Sequence, residues 1–146
     1  KHAINFMEKV KGEKYDYILL LQPTSPLRSC KDIEDSVKKI IRNKCNSVTS
    51  VVDVEGNHPF RMKIIKKGML KNYIEKGFED MRPRQKLKKV FIRNGSIYLS
   101  TRDTIMKKNT LVGKKNLPHL MPKERSVNID SHLDLLATEF YLKKKK

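Results

Sequence analysis

Near its start the chain turns from apolar to polar within a few residues. Tyr17-Ile18-Leu19-Leu20-Leu21 is followed by Gln22-Pro23-Thr24-Ser25-Pro26-Leu27-Arg28. An amide, two hydroxyls and a guanidinium at the carboxyl end of an apolar strand can bind a polar ligand, because open α/β sheets hold ligands just beyond the carboxyl ends of their strands. An ordinary strand-to-helix loop has the same outline, so the pattern alone leaves both readings open. Three more clusters carry functional groups: His58-Pro59-Phe60-Arg61; Arg82-Pro83-Arg84-Gln85 with Asn94-Gly95-Ser96-Ile97-Tyr98; and Arg125-Ser126-Val127-Asn128-Ile129-Asp130, with Asp134 beyond it. Other chemistries have little support. His2, His58, His119 and His132 lack metal-ligand spacing. Cys30 and Cys45 have no histidine beside them and no nucleophile motif, which argues against covalent thiol catalysis.

The elements that must position these groups alternate. Residues His2 to Val10 read as the last turns of a helix ended by Gly12, and Tyr17–Leu21 as a buried strand of a parallel sheet. A helix is expected from Lys31 to Asn43, capped by Ser29 with Asp32 and striped by Ile33, Val37, Ile40 and Ile41. The β-branched run Ser47 to Val54 is the next strand, which implies a right-handed parallel crossover. Met62–Lys66 and Leu70–Ile74 form a hairpin around Lys67-Gly68, followed by a polar loop from Glu75 to Lys89. Phe91 to Ser100 is a strand in which Asn94-Gly95 marks a bulge or a close backbone approach. A short helix from Thr101 to Asn109, extended pieces at Leu111-Val112 and Leu117–Met121, and a small strand at Val127–Ile129 complete the middle of the chain. Ser131 then caps a last helix whose core face is Leu133, Leu135, Leu136, Phe140 and Tyr141.

The 146 residues form a single domain or part of one, long enough to bury a core, with 34% charged and 38% apolar residues. No apolar run approaches a membrane span, no leader is visible, and two cysteines fit reduced thiols in a cytoplasmic protein. The net charge of +17 raises a nucleic-acid reading. The lysines are nevertheless scattered, only Lys143 to Lys146 form a dense run, and there is no tryptophan or basic-aromatic repeat for stacking bases. Attraction for anionic small substrates accounts for the excess more simply.

Leu-Gln-Pro-Thr-Ser-Pro-Leu-Arg at 21–28, the His-Pro-x-basic element at 58–61, Arg84-Gln85, Asn94-Gly95-Ser96-Ile97-Tyr98 and Asn128-Ile129-Asp130 occur in this order. The ordered set, covering Tyr15 to Glu139, resembles the acylneuraminate cytidylyltransferases, which make CMP-sialic acid and related CMP-nonulosonates. The resemblance implies an α/β, Rossmann-like nucleotide-diphospho-sugar transferase sheet with a protruding dimerisation arm at about 55–90. It also implies CMP transfer from CTP to the anomeric hydroxyl of a sialic-acid-like 2-keto sugar acid, with release of pyrophosphate, by a magnesium-dependent homodimer. Asp130 would then be the metal ligand, with Asn128 beside it, and Arg84 would act with it in catalysis. Arg61 and Arg84 would grip the sugar carboxylate. Gln22, Arg28, Gln85, Asn94 and Tyr98 would contact substrate, and Leu111 with Val112 would floor the acyl pocket.

The chain departs from that pattern in places. Asn128 stands where the family carries the first acid of Ile-Asp-Ile-Asp, Arg61 where it usually has lysine, and Lys88 where it often has proline. The family's Arg-x-Gly-Ser-Lys nucleotide loop is absent from the 146 residues. The expectation is therefore an N-terminally truncated portion holding most of the sugar site and one metal site, inactive alone. The alternatives are a remnant that only folds or dimerises with intact subunits, and a basic nucleic-acid-binding module.

Overall fold

A computed structural model describes residues 1–74 and 81–144. In chain order its elements are helix α1 (His2–Lys11), strand β1 (Tyr17–Leu20), α2 (Cys30–Asn43), β2 (Ser47–Asp53), β3 (Lys63–Lys66), β4 (Met69–Asn72), β5 (Phe91–Thr101), α3 (Arg102–Met106), β6 (Asn116–Leu120) and α4 (His132–Lys143). They fall into two compact units, Lys1–Val52 with Arg93–Lys146, and Asp53–Ile92. The expected arm at 55–90 falls within the second, of which residues 75–80 lie outside the described residues.

The first unit is a four-stranded sheet ordered β1-β5-β2-β6 with helices. It is mixed, not parallel. β5 pairs antiparallel to β1 (Tyr17 opposite Thr101, Leu20 opposite Tyr98), while β2 and β6 are parallel from Ser47–Asn116 to Val51–Leu120. The expected crossover from β1 to β2 thus spans an intervening strand that arrives from later in the chain. As an edge strand β1 is only half covered, with Tyr17 and Leu20 exposed, so an apolar run did not mean full burial. The core lies between α2 and the sheet: Ile40, Cys45, Val48, Ile97 and Leu99 are buried, with Leu19, Leu21, Ile33, Val37 and Leu117 against them. Ile41, expected on the same stripe, is exposed.

Local chemistry explains the boundaries. Ser29 and Asp32 form the reciprocal capping box of α2. Gly12 ends α1 at φ +70, its N–H returning to the Glu8 carbonyl. Thr101 caps α3 through the Thr104 N–H. Two expectations fail. Val127–Ile129 is irregular backbone, with a backbone hydrogen bond from Ile129 N–H to the Thr24 carbonyl (2.8 Å) instead of a ladder. α4 is capped by Ser131 as expected, with Asp134 completing a capping box that the sequence reading did not include, but its apolar stripe is open: Leu133 is 75% and Phe140 61% exposed, and only Thr138 is buried. Apolar periodicity identifies a face; it does not supply what covers it. No helix of the described residues is long and apolar enough to cross a membrane.

In the second unit β3 and β4 form the expected hairpin. Lys67 (φ +52) and Gly68 (φ +73) both adopt the left-handed region, the turn geometry whose twist suits a two-residue hairpin. Short 3-10 turns occupy Pro59–Arg61 and Arg84–Lys86.

Candidate functional site

Proline at 23 and 26 removes two backbone donors from the loop after β1, and side chains supply part of what holds it. Arg28 does this. Its Nη1 donates to the carbonyls of Gln22 and Ser25 (both 2.8 Å) and, more weakly, of Ser96 (3.4 Å). Together with buried Leu27 it fixes the loop from beneath, which makes Arg28 a brace of the loop.

Against this loop lies a segment more than a hundred residues later. Thr24 Oγ1 donates to Asn128 Oδ1 at 2.7 Å, and Ser25 Oγ to the same oxygen at 3.1 Å. Asn128 Nδ2 donates to Asp130 Oδ2 at 2.6 Å. The orientation of that amide follows from chemistry: a carboxylate only accepts, so the NH₂ must face Asp130 and the oxygen must face the two hydroxyls. Gly95 of β5 completes the cluster. At φ +77, a Cβ on it would stand 2.5 Å from Gln22 Oε1, 3.2 Å from Ser25 Oγ and 3.4 Å from Asn128 Oδ1. Three polar side chains therefore converge over a position that only glycine can occupy.

Asn94 precedes it and is buried. Its Oδ1 accepts from Ser50 Oγ (2.6 Å) and Ser96 N–H (3.3 Å), and its Nδ2 donates to Ser126 Oγ (2.9 Å) and Met121 Sδ (3.4 Å). Asn94 thus ties β5 to β2 and to the start of the 126–130 segment. Tyr98 lies half-buried farther along β5, opposite Leu20. Leu111 and Val112 are elsewhere. The Leu111 carbonyl accepts from Ser100 Oγ, and Gly113 N–H donates to Ser47 Oγ at 2.9 Å. Five residue steps along extended β5 separate Ser100 from Gly95, roughly 17 Å, so this pair sits at the other end of the sheet from the Gln22–Asn128 cluster.

A buried carboxylate stands behind the cluster. Asp32 is 3% exposed and accepts five hydrogen bonds. Oδ2 takes Ser29 N–H (2.8 Å), Ser29 Oγ (2.6 Å) and Arg125 Nε (3.1 Å), and Oδ1 takes Arg125 Nη2 (2.9 Å) and His119 Nε2 (3.2 Å). Burial pushes its pKa up, but the hydrogen bonds from Arg125, Ser29 and His119 outweigh burial and hold it well below the usual carboxylate range. The capping pattern made Ser29 and Asp32 legible in sequence; nothing there signalled that Arg125 and His119 converge on the same group. The hydroxyls of Thr24 and Ser25 are legible as polar groups of the loop, but not as partners of Asn128.

The donors present set limits on a divalent cation. Both lone pairs of the Asn128 oxygen face hydroxyl donors. Asp134 Oδ2 accepts Ser131 Oγ (2.7 Å), Ser131 N–H (2.8 Å) and Asp130 N–H (3.2 Å). Those bonds, led by the Ser131 hydroxyl, lower its pKa and commit it to capping α4. No three His, Cys, Asp or Glu residues cluster for a metal among the described residues. Among the described residues of this cluster, Asp130 is exposed and its carboxylate could serve. A single carboxylate with water and substrate phosphate is an ordinary environment for magnesium. Asn128, as oriented, does not present its oxygen.

In the second unit, Arg61 is exposed and its Nη2 donates to the Arg82 carbonyl at 3.3 Å. His58 Nδ1 accepts the Phe60 N–H at 3.2 Å, so its proton sits on Nε2, 3.0 Å from the Lys88 carbonyl. His58 is a buried clip. Gln85, in the second 3-10 turn, lines a pocket of about 430 Å³ with Val54, His58, Leu87 and Val90. Arg84 contributes backbone to that turn, and its side chain lies outside the described residues.

No family model matches the chain. It is 25% identical over 132 residues, 90% of its length, to "Post-translational flagellin modification protein B" of Campylobacter coli. It is 29% identical over 126 residues (86%) to the "CMP-N,N'-diacetyllegionaminic acid synthase" of Legionella pneumophila. Over 120 residues (81%) it is 26% identical to an "N-acylneuraminate cytidylyltransferase" of Streptococcus agalactiae. The chain spans about half the length of the first two relatives (55% and 53%) and 28% of the third.

Proposed function

We propose that this chain, which belongs to the acylneuraminate cytidylyltransferase family, carries the sugar-facing part of a CMP-nonulosonate synthetase. In that reaction the anomeric hydroxyl of a nine-carbon 2-keto sugar acid attacks the α-phosphate of CTP and pyrophosphate leaves. The observation that carries the reading is the meeting of two motifs 104 positions apart, through the Thr24–Asn128 hydrogen bond, with Gln22 and Asp130 alongside.

Each group has a task its chemistry supports. The Gln22 amide, held over Gly95, both donates and accepts and suits the N-acyl group of the sugar. Arg28 and Asn94 keep the loop and β5 in place, and Tyr98 offers a hydroxyl from the same strand. Arg61 and Arg84 supply the cationic grip on the sugar carboxylate, and Gln85 stands next to Arg84 in the chain. Asp130 is the residue that would hold magnesium, which when bound neutralises phosphate charge. Leu111 and Val112 have no part in this reading, since they lie at the far end of the sheet. A homodimer, as the resemblance implies, would let the second unit of one chain serve the sugar site of another.

Two of the relatives bear names that refer to N-acylneuraminate and to CMP-N,N'-diacetyllegionaminic acid. Those two sugar acids, with pseudaminate, are the substrates to assay. CTP-dependent release of pyrophosphate, with the CMP-sugar identified by mass spectrometry, is the expected result for the protein as its host makes it. No release with any of the three, in protein whose fold is intact by circular dichroism, would overturn the proposal.

A further inference from the structure

The pattern Ser-x-x-Asp caps two helices in this chain, and the two carboxylates are treated differently. Asp134 caps α4 through Ser131 at the protein surface. Asp32 caps α2 in the same way but is buried, and it also receives the bidentate Arg125 guanidinium and His119. Capping therefore does not require burial, and burying a carboxylate is costly unless it is paired. The additional partners identify a second task.

Asp32 lies three residues beyond Ser29, the last residue of the loop that carries Gln22, Thr24 and Ser25, and its carboxylate accepts two hydrogen bonds from Ser29. Arg125 ends the 3-10 turn Lys123–Arg125, three residues before Asn128. Its neighbour Ser126 is held by Asn94, and Ile129 N–H by the Thr24 carbonyl. Both halves of the candidate site therefore reach one anchored carboxylate. We propose that Asp32 is a positioning residue: through Arg125 it sets where the 126–130 segment, with Asn128 and Asp130, lies against the Thr24–Ser25 hydroxyls. This rests on the cytidylyltransferase reading for its consequence in turnover, but not for its geometry.

The test compares Asp32→Asn with Ser29→Ala in the protein as its host makes it. The first keeps an acceptor for the cap but loses the charge that holds Arg125; the second weakens the cap and leaves the Asp32–Arg125 pair intact. Three readouts are taken: melting temperature, the side-chain amide resonance of Asn128, and the kinetics of CTP-dependent pyrophosphate release. Asp32→Asn is expected to shift the Asn128 resonance toward that of a solvent-exposed amide and to lower kcat by about a hundredfold, the scale for displacing a reacting group by about 1 Å. KM for CTP should change little. Ser29→Ala is expected to lower the melting temperature while leaving the Asn128 resonance and kcat near wild type. If both variants merely melt earlier, with the Asn128 signal and kcat of the folded protein unmoved, Asp32 is only a cap and the proposal fails. Should wild type release no pyrophosphate, the functional reading falls and the resonance alone decides the positioning. Should Asp32→Asn not fold, Arg125→Lys, which keeps the charge and loses the bidentate grip, is read in the same way.

Discussion

Replacing Gly95 with alanine tests the candidate site directly. Two costs can be separated. At φ +77 any L-residue pays about 1–2 kcal/mol for the left-handed conformation. The new Cβ would also stand 2.5 Å from Gln22 Oε1, so the amide must retreat by about 0.9 Å to reach ordinary contact, while Ser25 Oγ at 3.2 Å must give slightly. Gly68 is the internal control: its φ is +73, but nothing lies within 4 Å of its Cβ position. Gly68→Ala should pay only the conformational cost, lowering the melting temperature by about 2–4 °C per kcal/mol and leaving catalysis alone. Gly95→Ala should lose more stability and lower kcat/KM for the sugar acid by about tenfold to a hundredfold, with KM for CTP little changed. Thermal melts and steady-state pyrophosphate release on the two variants give both numbers. Equal stability losses and unchanged kinetics in the pair would refute the convergence of Gln22, Ser25 and Asn128 over Gly95.

The remaining predictions concern charge and surface. Hydrogen bonds from Arg102, chiefly, lower the Glu8 pKa from 4.5 to about 2. The stability this pair contributes is therefore complete above pH 4.5 and is lost as the pH falls toward 2. Glu8→Gln should melt below wild type at pH 6 and converge with it near pH 2. Asn128→Asp would set a carboxylate against Asp130 where an amide N–H stands at 2.6 Å, a like-charge pair. Its melting temperature should drop at pH 7 and recover on adding magnesium, and isothermal calorimetry should detect cation binding stronger than in wild type. Phe140→Ser, on the open face of α4 at 61% exposure, should change the stability of the isolated chain by no more than about 0.5 kcal/mol in urea unfolding.

What the sequence disclosed was local. The capping box at Ser29, the Ser131 cap, the Gly12 stop and the Lys67-Gly68 turn each depend on a few neighbouring residues, and they appear where expected. The close approach at Gly95 was legible too, because a glycine inside a strand marks a bulge or a close backbone approach. What was not legible depends on residues far apart. β5 enters beside β1 because of pairing over more than seventy positions, which no local pattern encodes. The apolar stripe of α4 reads identically whether or not something covers it. The capping pattern accounts for Asp32 without Arg125, and nothing local in the sequence pairs two residues 93 positions apart. The resemblance assigns Leu111 and Val112 to the acyl pocket, and the Ser100–Leu111 hydrogen bond sets them at the other end of the sheet from the Gln22–Asn128 cluster, a separation that depends on pairing no local pattern encodes.

The bond between Thr24 and Asn128 also has a kinetic meaning. Closing a chain segment of 104 residues costs about 4 kcal/mol of entropy, and a single hydroxyl–amide bond returns only about 1 kcal/mol. That contact cannot nucleate folding; it can only follow once β1, β5, β2 and β6 have already brought the two segments together. The candidate site then assembles after the sheet, with the Ser25–Asn128, Ile129–Thr24 and Arg125–Asp32 bonds closing the same two segments together. Activity would serve as a sensor of the whole fold, disappearing under mild denaturant before the helical signal of α2 declines.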